Sequence, residues 1–241
     1  MRNVIGILGG MGPEATILMM SRLVAATPAS DDSDHIPMLV DNNTQVPSRI
    51  AHLIDGTGQD PTPVLVGMAQ KLASSGADVL AMPCNTAHSY YPAVAGAVQV
   101  PVLNMVELTA QAVARAHPEG PVGILASPAV EITGIFAKAF AALGRDIVYP
   151  ADRDRVLSAI RAIKAGRIDT ALPILEEAAD EIATSGAPVA VVGCSEFSIV
   201  APQLTGGPLA LIDSLDVLVD ACVAYATGSV AASNQGAKLA K

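Results

Sequence analysis

The chain has 241 residues, about 1.6 times a typical ~150-residue domain, with 51% of them apolar and only 15% charged. That apolar share excludes disorder as the main state, and 14 basic against 23 acidic residues, a net of −9, leave no basic stripe for nucleic acid or an anionic membrane. With 3% aromatics and no Trp, the core has to be built from Ala, Val, Leu and Ile.

Short β-rich runs alternate with helical stretches along the chain. Residues 4–8 read as a strand, and residues 9–13 as a turn opening a helix with Pro13 near its first position. Strands follow at 36–40 and 78–82, with a helix at 63–74 between them that ends near Gly76. Residues 78–82 are apolar enough to be buried on both faces, as parallel strands are. A helix after Cys84, a short strand at 100–103 and a helix at 105–117 complete the first half. The second half repeats the plan: strand 122–126, helix 131–143, strand 146–149, two helices flanking Gly166, strand 189–193, strand 209–212 and helix 214–226. The alternation predicts an α/β fold of parallel sheet flanked by helices, and the repeated plan predicts a duplicated lobe, giving two similar, pseudo-symmetric lobes, each a mostly parallel sheet flanked by helices. Residues 1–115 are expected to form the first lobe, with helix 214–227 packing back on it, residues 116–213 the second lobe, and residues 228–241 a flexible tail.

The longest stretch free of Asp, Glu, Lys and Arg, residues 79–106, holds Pro83, Asn85, His88, Pro92, Pro101 and Asn104, which a lipid-facing helix would not tolerate together. The N-terminus mimics a secretory signal until Gly9-Gly10-Met11-Gly12-Pro13-Glu14 breaks its apolar region. Three cysteines with no C-x-x-C suggest neither a disulfide framework nor a zinc site. A cytoplasmic address is the expectation, with no membrane and no nucleic-acid partner.

Each half sends an apolar strand straight into a cysteine, Val79-Leu80-Ala81-Met82-Pro83-Cys84 and Val189-Ala190-Val191-Val192-Gly193-Cys194. Ligands gather at the carboxyl ends of strands in open α/β sheets, so both sulfurs are expected on the functional edge of their lobes. A thiol between a strand end and a helix start lies near unpaired N–H groups and the positive end of the helix dipole, which lowers its pKa. Ser195 is a candidate N-cap and Glu196 suits the first turn. Cys222, inside the apolar last helix, reads as core. A facing pair of thiols suits racemisation, which removes a proton from one face of a carbon and returns one to the other. Each base should stand within about 3–3.5 Å of the carbon, which puts the sulfurs roughly 7 Å apart across a substrate. Such a site calls for no metal and no pyridoxal, and no motif for either is visible.

Gly9-Gly10-Met11-Gly12-Pro13-Glu14-Ala15-Thr16, Met82-Pro83-Cys84-Asn85-Thr86-Ala87-His88 and Gly193-Cys194-Ser195-Glu196 together resemble the cofactor-independent aspartate/glutamate racemase family, closest to its aspartate racemase branch. The resemblance implies an active site in the cleft between the two lobes, a homodimer, a small acidic amino-acid substrate, no cofactor, and Cys84 and Cys194 as the two acid/base groups. It also implies that Arg49, in Val46-Pro47-Ser48-Arg49, and Lys164, in Ala162-Ile163-Lys164-Ala165-Gly166, hold the distal carboxylate, with Lys164 also lowering a sulfur's pKa. Asn85, Thr86 and Ser195 would position the α-carboxylate and amine, Met11 would line the pocket, and Ser127 and Glu196 complete the substrate-binding set. The chain departs from the family pattern at Ser195 (often Thr), Phe197 (often aliphatic), and Val130 and Phe136 in the wall segment (where polar groups are common). Losing polar groups at Val130 and Phe136 is expected to enlarge or dry the pocket.

Four competing readings stand beside this one. Gly6–Pro13 fits a dinucleotide fingerprint only with Ala15 at the third glycine position. Cys84 and His88, at i and i+4, suggest a thiol hydrolase but leave Cys194 idle. A maleate-isomerase-like or decarboxylase-like enzyme of the same superfamily would use a cysteine as nucleophile, and a non-catalytic small-acid binder would use neither thiol.

Overall fold

Strand β1 (Ile5–Gly9), all five residues buried, forms the centre of the first of two parallel sheets. The computed structural model describes residues 2–204, 207 and 209–228; most of the expected tail at 228–241 lies outside them. From β1 the chain turns into α1 (Pro13–Ala26), with proline in its first turn as anticipated, and returns through β2 (Met38–Asn42). Two helices, α2 (Arg49–Leu53) and α3 (Thr62–Ser74), precede β3 (Val79–Ala81). A five-residue 3-10 turn at Thr86–Tyr90 runs into α4 (Tyr91–Gly96), and α5 (Met105–Ala116) follows. In the second half, β4 (Val122–Leu125) leads to α6 (Pro128–Thr133) and α7 (Ile135–Ala141). Then come β5 (Ile147–Val148), α8 (Arg153–Lys164), α9 (Ile168–Thr184) and β6 (Val189–Val192). The last elements are α10 (Ser195–Val200), β7 (Ala210–Asp213) and α11 (Ser214–Thr227).

The sheets are ordered β2-β1-β3 and β5-β4-β6-β7, and every pairing is parallel. Strands β1, β3, β4 and β6 are buried throughout, which is why their sequences read as unbroken apolar runs. β1 and β4 occupy equivalent places, as do β3 and β6, the two strands that lead into cysteines.

Two expected elements differ. Residues 100–103 form no strand: the segment meets β3 through a single bridge, Leu80 to Val102, because Pro101 has no N–H to extend a ladder. Pro101 instead accepts from the Leu80 N–H at 2.8 Å, and the segment stands beside β3 as β7 stands beside β6. The helix expected over 131–143 is two helices, since Gly134 adopts φ +64° and ends α6 before α7 begins.

The final helix of each half crosses over. Leu215, Leu218, Val219 and Cys222 of α11 join Ile5, Ile7, Met19 and Leu23 in one core. Val106, Ala110 and Val113 of α5 join Val122, Ile124, Phe136 and Phe140 in another. Each sheet is thus roofed by a helix that follows the other sheet's last segment. An ionic knot fixes the same junction. Arg22 on α1 pairs with Asp213 at 2.6 Å and Asp216 at 2.9 Å, and donates to the Ser198 carbonyl at 2.7 Å. The Asp213 side chain is only 8% exposed, so removing its cation strands a buried charge. Arg22→Met is therefore expected to cost about 3 kcal/mol of stability; urea unfolding with a midpoint unchanged from wild type would refute this. No helix among the described residues is long and apolar enough to cross a membrane.

Candidate active site

The first glycine turn is built around Thr16. Its hydroxyl accepts from the Gly10 N–H at 2.9 Å and lies 3.3 Å from the Gly12 carbonyl. Gly10 has φ +90°, and a Cβ there would fall 2.3 Å from the Asn43 backbone, so only glycine fits. The turn fixes Met11, whose carbonyl accepts from Arg49 Nη2 at 3.3 Å. Arg49 opens α2, where Ser48 caps the helix through the Ala51 N–H. Its Nη1 also donates to the Val46 and Pro47 carbonyls. Carbonyl oxygens hold this guanidinium in place without neutralising it, and among the described residues it has no carboxylate partner.

The two cysteine turns meet directly. Ser195, expected as an N-cap, makes no capping bond; its hydroxyl crosses between the lobes to donate to the Pro83 carbonyl at 2.7 Å. Each cysteine is the chain neighbour of one end of that bond, each is 7% exposed, and the charge on Cys84 acts on Cys194. Two further bonds cross the same cleft. Thr86 Oγ1 lies 3.3 Å from Ser127 Oγ, and Asn85 Nδ2 donates to Ser214 Oγ at 2.9 Å while Asn85 Oδ1, buried, has no partner.

Glu196 is the surprise of the second turn. Cys194 Sγ–H donates to its Oε2 at 3.1 Å, and Lys164 Nζ stands 3.2 Å from its Oε1. The Lys164 charge is therefore met by Glu196 and is not an unpaired cation beside a sulfur. Burial pushes the Cys194 thiol well up, and the Glu196 charge and its hydrogen bond to the thiol push it further. This reverses the lowering expected from a helix N-terminus, because burial first, and then a carboxylate in contact, outweigh a fractional dipole charge. Gly12 completes the ring: a Cβ there would be 3.7 Å from Glu196 Oε1. Met11, Arg49, Cys84, Asn85, Thr86, Ser127, Lys164, Cys194, Ser195 and Glu196 thus belong to one connected cluster.

His88 is occupied elsewhere. Its Nε2 accepts from the Met105 N–H at 3.0 Å, so the proton sits on Nδ1, which donates to the Cys84 carbonyl at 2.9 Å. Burial lowers its pKa to about 4. A neutral imidazole with both nitrogens bonded to backbone ties the Cys84 turn to α5 and is no base for the thiol, which removes the basis of the hydrolase reading. Val130 and Phe136 are fully buried in the second core. Phe136 lies directly beneath Gly193, where a Cβ would be 3.0 Å from its ring. Phe136 therefore backs the Cys194 turn, while Val130 packs in the same core. Among the described residues no group of His, Cys, Asp and Glu is arranged to hold a metal ion.

The profile of the Asp/Glu/hydantoin racemase family matches residues 8–222. The chain belongs to this racemase family. It is an isomerase of the cofactor-independent Asp/Glu racemase type. Among relatives, the broad specificity amino-acid racemase RacX of Bacillus subtilis (strain 168) is 27% identical over 231 residues, covering 94% of this chain and 97% of its own. The solved Picrophilus torridus aspartate racemase superposes with a TM-score of 0.82 at 26% identity, over 93% of this chain and 94% of that one. Glutamate racemase isoform RacE1 from Bacillus anthracis shares the fold, with a TM-score of 0.70 at 16% identity over 94% and 82% of the two chains. Within this racemase the sequence reading missed Tyr90, whose buried hydroxyl has no partner, and Ser214, which accepts from Asn85 and donates to the Val192 carbonyl at 2.7 Å. No local pattern marks either one; both depend on contacts between distant segments.

Proposed function

We propose that this racemase interconverts L- and D-aspartate by a two-base transfer, Cys84 and Cys194 exchanging the roles of base and acid with direction. The observation that carries the reading is the Ser195–Pro83 bond, which joins the two cysteine turns across the cleft. Near-complete burial of both thiols suits a site that excludes water during proton transfer. Arg49, a cation without a carboxylate, is assigned to the side-chain carboxylate. Asn85, whose Oδ1 is a free acceptor, is assigned to the ammonium, with Thr86 and Ser127 beside the α-carboxylate. Lys164 acts through Glu196 and reaches the distal carboxylate when that pair opens. A homodimer in the cytoplasm is part of the proposal, its assembly checked by light scattering.

The test is a panel of enantiopure amino acids incubated with purified protein and no added cofactor, followed by chiral chromatography. Aspartate is expected to become racemic, with kcat/KM at least about 10-fold above that for uncharged amino acids. A second reading, broader specificity, draws support from the Bacillus subtilis relative; uncharged amino acids racemised as fast as aspartate would favour it. Binding by calorimetry without any racemisation would replace the enzyme reading with a small-acid binder.

A further inference from the structure

Tyr90 sits six residues beyond Cys84, at the end of the 3-10 turn. The residue is 8% exposed and packs in one apolar cluster with Met11, Val46 and Cys84. Its ring lies 6.1 Å from that of His52, on the same short helix as Arg49. Its hydroxyl is fully covered and has no hydrogen-bond partner. Burial is the main reason its pKa is pushed up to about 12, and the charges of Asp60, Arg49 and Cys84 also reach it. The phenol is therefore a hydrogen-bond donor at any physiological pH. Asp60 does not take that hydrogen bond, since its carboxylate accepts from the Thr62 N–H and hydroxyl. An unused donor packed against the short helix that carries an unneutralised guanidinium is an arrangement that an incoming anion would complete.

We propose that Tyr90 is a specificity-determining residue: its hydroxyl donates to the side-chain carboxylate of an acidic substrate that Arg49 holds by charge. The assignment rests on the acidic amino-acid racemase reading, and it extends that reading to a residue outside the sequence motifs. An uncharged side chain would leave the phenol without an acceptor and the guanidinium, already held by carbonyls, without a counter-charge, so the pair discriminates by one unpaired buried donor and one unneutralised cation.

Succinate and butyrate are suitable probes, because they share a four-carbon skeleton but carry two carboxylates and one. By calorimetry the wild type is expected to bind succinate more tightly than butyrate. Tyr90→Phe should weaken succinate about 10-fold and leave butyrate within about twofold, as loss of one charge-assisted hydrogen bond requires. The variant's melting temperature without ligand should not fall, since the deleted oxygen bonds to nothing. Equal weakening of both probes, no weakening of either, a lowered melting temperature, or a wild type indifferent between the two would overturn the assignment. Aspartate turnover is followed separately. A protein that prefers succinate and loses that preference in Tyr90→Phe, yet racemises nothing, would refute the racemase reading and leave Tyr90 as a dicarboxylate ligand. A racemase whose KM for aspartate is the same in Tyr90→Phe would refute the Tyr90 assignment alone.

Discussion

Cys84→Ser and Cys194→Ser are each expected to lower aspartate racemisation by about 10³-fold or more while the protein keeps its fold. A hydroxyl occupies less room than a thiol and its proton is far less acidic, so either exchange removes one of two acid/base groups, each worth roughly 10²–10⁴-fold. Both side chains are nearly buried, so a retained melting transition distinguishes loss of chemistry from loss of structure. Deuterated water gives the sharper readout. In a two-base reaction the hydrogen taken from Cα stays on one sulfur while the other sulfur delivers a solvent-derived deuteron. Product from the first turnovers should carry deuterium at Cα while residual substrate keeps its protium. Equal labelling of both pools from the start would point to one shared base, and a serine variant retaining more than about a tenth of wild-type activity would remove that cysteine from the chemistry.

The parts of this site that were legible in the sequence are those specified over a few neighbouring residues. Apolar runs at β1, β3, β4 and β6 announced buried parallel strands, and a cysteine after β3 and after β6 marked two equivalent strand ends. Local rules also explain two misreadings, for Pro101 and Gly134 carry the information that breaks an expected strand and splits an expected helix. Other features were not readable because they exist only between segments. Lys164 looks like a free cation until folding sets it 3.2 Å from Glu196, 32 positions away. Ser195 looks like an N-cap until Pro83, 112 positions away, takes its hydrogen. Helix α2 is five residues long, too short to show a periodicity, and yet it carries the one guanidinium in the cluster. The packing of α5 into the second core likewise leaves no mark in that helix, since an apolar stripe does not name the surface it will cover.

Glu196→Gln is expected to reshape the pH dependence, and the reason lies in the symmetry of the reaction. The two enantiomers are equally stable, so kcat/KM must be the same in both directions for any variant. A bell-shaped profile consequently belongs to the thiol pair as a unit, active with one proton and inactive with two or none. Its alkaline limb reports loss of that last proton. Glu196 holds the proton on Cys194 by its charge and by accepting the S–H bond at 3.1 Å, and a Cys84 thiolate opposes a second thiolate nearby. Glutamine removes the negative charge and should let the proton leave more easily, so the alkaline limb moves to lower pH. Lys164 loses its carboxylate at the same time, which favours thiolate in the cleft and moves the limb the same way. Loss of a hydrogen bond to a charged group should also lower kcat/KM by about 10–100-fold at the optimum, through a less well-held sulfur. A profile reduced in height with its limbs unmoved would make Glu196 a packing residue, and a limb displaced to higher pH would contradict the electrostatic assignment outright.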